Sequence, residues 1–348
     1  MANLLGIMFK NRVKAYSVVL LLFMTLGVFS CEHDIDHIVE QESTFVGNRL
    51  LTISAMLPPE YTNSLSRLIL EDDEGGIKTR WEKDDDELLL FLENGTKQHT
   101  EVAHIKSLFN DNRVADFEIK IPEGWVGKCN IYGMLQKSKL PESGLLSEQD
   151  RACCRTLEDG KVIFRTAFNQ CQFSAELSSN PAFWFKHEGI EITSDMSNIH
   201  VDLQHLGYLV AMHVENNASS AIYIPTISLF TRDGAPFFLS DGFENIGFEV
   251  KTGKCISVPW TDHLVFCDRS KALSLNTRKR ILPGNNITLY HWFASDNREV
   301  PELSINWHME HKSYHCREYL KKRLVEKGMV YHIYLKYDGS ELKLSDVF

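Results

Sequence analysis

Residues 329–344 read MVYHIYLKYDGSELKL, and this stretch decides what kind of fold the chain makes. Tyr331, Ile333, Leu335 and Tyr337 alternate with other residues, the period-two pattern of a half-buried strand. Asp338-Gly339 comes next, a pair that tolerates positive φ at both positions and so predicts a two-residue hairpin turn. Glu341–Leu344 then predicts the returning strand. The same signals recur upstream. Asp116–Ile121 sets Phe117, Ile119 and Ile121 on one face and Asp116, Glu118 and Lys120 on the other, and Pro122 stops it. Leu88–Leu92 is a continuous apolar run, short enough for a strand buried on both faces. Further candidate strands are Leu50–Leu57, Cys129–Met134, Lys161–Phe164, Val201–Val214, Ile222–Phe230, Gly247–Val250, Ile256–Trp260, Ile287–Phe293 and Leu303–His308. Only Arg317–Lys327 reads as helical.

Many short strands separated by turn signals predict an all-β protein built from β-sandwiches. The chain has 348 residues, enough for about two domains with real cores. The predicted layout is a signal segment over 1–30, a tether over 31–48 and an N-terminal β-sandwich over 49–178. A linker over 179–198 and a C-terminal β-sandwich over 199–348 complete it.

The first residues set the address. Lys10, Arg12 and Lys14 precede the apolar run VVLLLFMTLGVFS, which ends in Ser30 and Cys31; this is the pattern of a secretory signal. The run falls short of the roughly 20 residues that span a bilayer. Val28-Phe29-Ser30-Cys31 resembles a bacterial lipobox, with Phe29 standing where a small residue is usual. That resemblance implies cleavage between Ser30 and Cys31, acylation of the Cys31 thiol and amine, and anchoring by several acyl chains where one would hold only marginally. An ordinary signal peptide is the alternative. Met8 is a second candidate start. Glu32, Asp34 and Asp36 follow Cys31 and resemble a surface-export tag, or form a solvated tether.

The formal net charge is −10. Residues 1–30 carry three positive charges and no acids, so the remainder carries −13. A chain this acidic repels nucleic acid, which is excluded as a partner. Beyond Cys31 lie Cys129, Cys153, Cys154, Cys171, Cys255, Cys267 and Cys316, an odd number without CxxC or zinc-like spacing, and no pairing is assigned.

Three stretches carry a family resemblance. Thr79-Arg80-Trp81-Glu82-Lys83-Asp84-Asp85-Asp86 before Leu88–Leu92 is similar to the "tRW..gD.i.lf" segment of fimbrillin-like proteins, with Asp84 or Asp85 where that family has Gly. Ile199–Leu206 running into Leu209-Val210-Ala211 resembles the first strand of their second domain. Lys327–Tyr331 through Asp338-Gly339 resembles their C-terminal strand pair. The resemblance implies two tandem transthyretin-like (Greek-key) β-sandwiches in a surface lipoprotein of the outer membrane. Such a protein would act without catalysis as a fimbrial (pilus) subunit, anchor or adhesin. Its partners would be the outer membrane through its lipid, other fimbrial subunits, or host or bacterial surface proteins. In polymerising members a protease cuts after an Arg near the first domain, and a strand from the next subunit fills the opened groove. Arg49, the first Arg after Cys31, is the candidate for such maturation, or an ordinary charged residue at a strand start.

No motif for catalysis is present: G-x-S-x-G, Walker, GxGxxG and HExxH patterns do not occur. No catalytic residue, metal site or cofactor is expected. His308, His311, His315 and Cys316 are the densest set of metal-type ligands, but strand alternation is expected to scatter them. Glu71–Glu74 and Asp84–Asp86 suit acidic turns better than calcium loops, and Arg278-Lys279-Arg280 suits a solvated turn. The alternative function is glycan binding in a polysaccharide uptake system, with Trp125, Trp184, Trp260 and Trp292 as candidate stacking platforms; tryptophans of β-sandwiches more often fill cores.

Overall fold

The computed structural model describes residues 49–58, 71–73, 76–78, 80–83, 86–137, 153–165, 182–193, 198–231, 245–258, 272–294, 299–309 and 312–345. No helix occurs among the described residues. The first strands are β1 (Arg49–Met56), β2 (Glu71–Asp73), β3 (Gly76–Lys78), β4 (Asp86–Asn94), β5 (Lys97–Phe109), β6 (Val114–Ile121) and β7 (Gly127–Lys137). Then come β8 (Cys153–Thr156), β9 (Val162–Arg165), β10 (Phe183–Ile192), β11 (Asn198–Asp202) and β12 (Gln204–His205). The second half holds β13 (Gly207–Asn216), β14 (Ile222–Thr231), β15 (Asn245–Glu249), β16 (Cys255–Val258), β17 (Ala272–Ile281) and β18 (Asn286–Ala294). It ends with β19 (Glu299–Val300), β20 (Leu303–Met309), β21 (Lys312–His315), β22 (Arg323–Leu324), β23 (Val330–Tyr337) and β24 (Leu342–Leu344).

The first sandwich is one sheet folded over its own core, in the order β11-β1-β6-β5-β4-β7-β10-β12. The fold-over runs through β5, which pairs with β4 along its first part and with β6 along its last, with a bulge between Ile105 and Ser107. A bulge bends a strand and increases its twist, which lets one strand serve both layers. Leu51, Ile53, Leu90, Phe117, Ile131 and Phe185 fill the enclosed core. The second sandwich has two separate sheets, β18-β13-β23-β24 and β17-β14-β20-β21. They close over Val210, Met212, Ile227, Ile305, Trp307 and Ile333.

The two sandwiches share one topology. Taking β1, β4, β5, β6, β7, β10 and β11 as seven strands, the layers read fourth-first-seventh and third-second-fifth-sixth. Strands β13, β14, β17, β18, β20, β21 and β23 give the same order, with β24 added beside the seventh. In both, the seventh strand lies parallel to the first, β11 along β1 and β23 along β13. This is the transthyretin-like Greek-key sandwich, formed twice.

The chain passes between the two at Leu203–Leu206. Residues 179–198 do not link them: β10 lies within that span and pairs with β7 from Phe183↔Leu135 to Ile192↔Gly127. Ile199 and Val201, expected to open the second domain, pair with Ile53 and Ala55 of β1 and close the first. The apolar alternation of 198–202 is equally good for either sandwich, so the sequence alone does not divide them. The stretch 317–327 is not helical; Leu320 bridges to Leu303 and, with Val325, docks into the second core. The C-terminal hairpin also differs in detail. Its last strand pair is Tyr337↔Leu342, Gly339 takes φ 98°, and Asp338 ties the turn by accepting hydrogen bonds from the N–H of Ser340 and Glu341 at 2.9 Å each. The carboxylate caps the turn from outside it, as Asx-turns do.

A third core joins the halves. Strand β4 is buried on both faces, as the run Leu88–Leu92 predicts: Leu88, Leu90 and Leu92 face the first core, and Leu89 and Phe91 face outward into the third. There they meet Tyr132, Met134 and Trp184 from the first sandwich and Leu209, Ala211, Tyr290 and Trp292 from the second. A small sheet, β16-β15-β9-β8, packs into the same core through Phe164 and Phe248. It draws β8 and β9 from before the crossover and β15 and β16 from after it. The loop between β15 and β16 is fastened to the first sandwich. Trp184 Nε1 donates to Val250 O at 2.8 Å, and Lys251 pairs with Glu93 at 2.9 Å. Gly253 has φ +63° and lies under Trp184, whose ring would stand 2.9 Å from any added Cβ.

Truncating a large buried aromatic costs about 3–5 kcal/mol. Trp184→Ala removes both the ring at the centre of the third core and its bond to Val250. The wild-type protein is expected to unfold in urea as one transition, and Trp184→Ala to split it in two; a single, merely shifted transition in the variant would show that the third core does not couple the sandwiches.

His205 sits at the crossover, its ring 4.7 Å from that of Phe183. Burial lowers its pKa from 6.5 to about 4. The folded state therefore resists a proton that the unfolded chain accepts. Stability is expected to fall as the pH drops from about 6.5 towards 4, by up to roughly 3 kcal/mol. His205→Gln should flatten that part of the pH–stability curve, measured by denaturation at pH 7.0 and 4.5.

Candidate functional site

The motif residues singled out in the sequence take structural positions. Trp81 is fully buried in the first core, edge-on to Phe117 at 5.4 Å. Its indole N–H donates to Arg113 O at 3.2 Å, and its backbone N–H to Asn112 O at 2.8 Å. Arg80 pairs with Asp111 at 2.7 Å. Together they pin the entry to β4 onto the β5–β6 turn, where Asn110, Asp111 and Asn112 all have positive φ. Asp86 is buried, and its carboxylate accepts from the N–H of Glu82 at 2.7 Å. An acidic turn residue spent on a backbone donor is what the sequence of this cluster predicts; Asp84, Asp85 and Glu74 lie outside the described residues.

Arg49 is the first residue of β1. It pairs with Ile121 of β6, and its Nη1 donates to Trp125 O at 3.3 Å. On the other side of β1, pairing with β11 begins three residues later, at Thr52↔Asn198. The peptide bond after Arg49 is thus held in a sheet on one side. Ser30 and Cys31 lie outside the described residues.

The candidate ligand sets do not assemble. His308 and His315 share the outer face of the β20–β21 hairpin, because Asn306 pairs with His315 and His308 with Ser313. The hairpin thus returns His315 to the face that alternation along one strand was expected to leave. Each ring bonds a neighbour instead, His308 Nδ1 to Ser313 Oγ at 2.9 Å and His315 Nδ1 to Asn306 Oδ1 at 2.7 Å. Cys316 points the opposite way, into the core, where burial pushes its thiol up to about 11. His311 lies outside the described residues. Among the described residues no three His, Cys, Asp or Glu side chains gather closely enough to hold a metal. Cys129 and Cys316 are free thiols.

The tryptophans offered as sugar platforms are interior. Trp125, Trp184 and Trp292 are 4%, 5% and 5% exposed, and Trp260 lies outside the described residues. A stacking platform must present its face to solvent, and these three instead fill the first and third cores. The glycan-binding alternative loses these three of the four residues on which it rested.

One polar cluster has no counterpart among the sequence motifs. His213, Thr288, His332 and Tyr334 come together on the outer face of β18-β13-β23, beyond the edge of the third core. His213 Nδ1 lies 2.9 Å from Thr288 Oγ1, and its Nε2 lies 2.7 Å from His332 Nδ1. The His213 ring stacks on Tyr334 at 4.5 Å. Burial lowers the pKa of His332. The signal was present in the strand alternation of 331–337, whose second face reads His332, Tyr334, Lys336, but β13 had to be placed beside it before the two histidines could be seen to meet.

No family model matches the chain, and no curated protein sequence matches it. Among solved structures it is similar to a protein assigned to cell adhesion from Bacteroides ovatus, with TM-score 0.46 and 10% identity over 87% of this chain and 97% of that one. It is also similar to the tip fimbrial protein Mfa3 of Porphyromonas gingivalis, with TM-score 0.35 and 9% identity over 85% of this chain and 98% of that one. The fimbrial anchor protein Mfa2 of the same organism gives TM-score 0.39 and 7% identity over 85% and 96%.

Proposed function

We propose that the chain is a surface-exposed, lipid-anchored protein of the outer membrane that works by binding other proteins, as a fimbrial subunit, anchor or adhesin, and performs no catalysis. The observation that carries this reading is the doubled sandwich, one seven-strand order formed twice and fused through a common core. Such a body offers sheet edges and loops for strand and side-chain contacts. The buried Trp81, the turn held by Asp86 and the hairpin held by Asp338 give the fimbrillin-like motifs a reason to be where they are. The domain division belongs to this reading, with the first sandwich running from Arg49 to Asp202 and the second from Gly207 to Leu344. Cys31 carries the lipid after cleavage behind Ser30.

Within that group we favour an anchor or stand-alone adhesin over a polymerising shaft subunit. A cut after Arg49 would fall in a strand paired to β6, and it would leave β1 itself in place rather than open its groove. The test is an unboiled denaturing gel of surface material sheared from native cells and probed for this protein. A single band near monomer size is expected. A ladder that collapses on boiling would reveal strand-exchanged polymers and overturn the preference, and N-terminal sequencing would then show whether Arg49 is the cut. Cys31→Ala should release the protein from the membrane fraction; continued membrane association would remove the lipid anchor from the proposal.

A further inference from the structure

Strand β24 covers only part of its partner. Its pairing with β23 runs from Tyr337↔Leu342 to Leu335↔Leu344, and the N–H of Ser345 donates to Tyr334 O at 2.9 Å, extending the same register by one residue. Among the described residues, Val330–Ile333 therefore have a strand partner on the β13 side only. The sequence continues Asp346-Val347-Phe348, outside the described residues. Carried forward without a slip, the antiparallel register sets Asp346 opposite Ile333, Val347 opposite His332 and Phe348 opposite Tyr331. Directly opposed residues share a face of the sheet. Asp346 and Phe348 thus fall on the inner face, with Ile333 and Tyr331, and Val347 falls on the outer one.

That inner face holds a cavity of about 50 Å³, open on one side and walled by Tyr208, Val210, Phe293, Leu320, Val325 and Ile333. Tyr331, Lys321 and Arg323 also line it. The volume admits roughly four water-sized groups, and its walls suit an apolar group better than water. The segment that carries the two cations runs in the direction the tail would take. Arg317 pairs with Glu341 at 2.7 Å, and Glu318 Oε2 accepts from the N–H of Leu344 at 3.4 Å. Further on, the Arg323 guanidinium stands 5.1 Å from the centre of the Tyr331 ring. The contacts of this segment thus advance from Glu341 through Leu344 to the ring opposite position 348. Lys321, which is exposed, falls in between, at the level of Asp346.

We propose that residues 346–348 dock on their own sandwich: they extend β24 along β23, put the Phe348 ring into the mouth of this cavity and set the Asp346 carboxylate beside Lys321. Antiparallel hydrogen-bonded pairs recur every second residue, so after Ser345 and Tyr334 the next such pair is Val347 with His332. Burial of the Phe348 ring supplies most of the gain, because an exposed ion pair contributes little. The docked tail gives β23 a neighbour on both sides along its whole length and closes an open edge beside the second core. It also withholds that edge from strands of other molecules.

The experiment places the photoreactive phenylalanine analogue p-benzoylphenylalanine at position 348 of the full chain, irradiates it and maps the cross-links by mass spectrometry. A product of monomer mass is expected, joined to Leu320, Val325 or Tyr331. Cross-links between two chains, cross-links away from the cavity, or none at all would overturn docking within the chain. Hydrogen–deuterium exchange gives a second reading. Residues 330–334 of the unaltered chain are expected to exchange roughly tenfold more slowly than in a chain that stops at Ser345; equal rates would overturn the proposal. Phe348→Ala should exchange like the shortened chain and Val347→Ala like the unaltered one. Equal effects of these two substitutions would show that the ring does not occupy the cavity.

Discussion

Everything in this molecule hangs on a strand that is dry on both sides. Strand β4 sends Leu88, Leu90 and Leu92 into one core and Leu89 and Phe91 into another. A half-buried strand can slip by two residues and keep its pattern; a strand buried on both faces has no solvent side to slip towards. Its pairing with β5 and β7 is set residue by residue over its length. The bent β5, the wall of the third core and the seat for Trp184 follow from that placement. Each buried leucine there is worth roughly 2–5 kcal/mol against alanine, so the segment combines local register with the joining of the two halves.

How much of this the sequence disclosed depends on the range of the interaction. Strand identity is a local property, and it was legible wherever alternation or an apolar run was clean, as at 116–121 and 331–337. The double burial of Leu88–Leu92 was legible for the same reason. The boundary between the sandwiches was not, because β10 and β11 look like any other strands until their partners are known. The helical reading of 317–327 failed because Leu320 and Val325, five residues apart and so off any one helical face, each reach the core from an extended segment tied by the Leu303–Leu320 bridge. At the C-terminal hairpin the residue types were right and their places off by one, since a carboxylate that accepts two backbone N–H groups does the work from the position before the turn.

The candidate sites divide in the same way. Residue type alone was a poor guide: Trp125, Trp184 and Trp292 fill cores, as tryptophans of β-sandwiches more often do, and of the HxxHxxxHC run His308 and His315 share one face of a hairpin while Cys316 turns into the core. Arg49 and Asp86 took the modest positions expected of a strand start and an acidic turn. The His213–His332 meeting joins residues 119 apart in the chain through a parallel strand pair, and no local pattern encodes such a meeting.

That parallel pairing has a mechanical consequence. In each sandwich the first and seventh strands run side by side in the same direction, β1 with β11 and β13 with β23. A tensile load that enters at the start of the first strand and leaves at the end of the seventh pulls the two past one another along their length. The backbone hydrogen bonds between them are then sheared together, instead of being peeled open one at a time. Both halves of the chain carry this arrangement in series. Traction along the chain therefore meets the same shear-loaded clamp twice, at the points where the chain enters and leaves each sandwich.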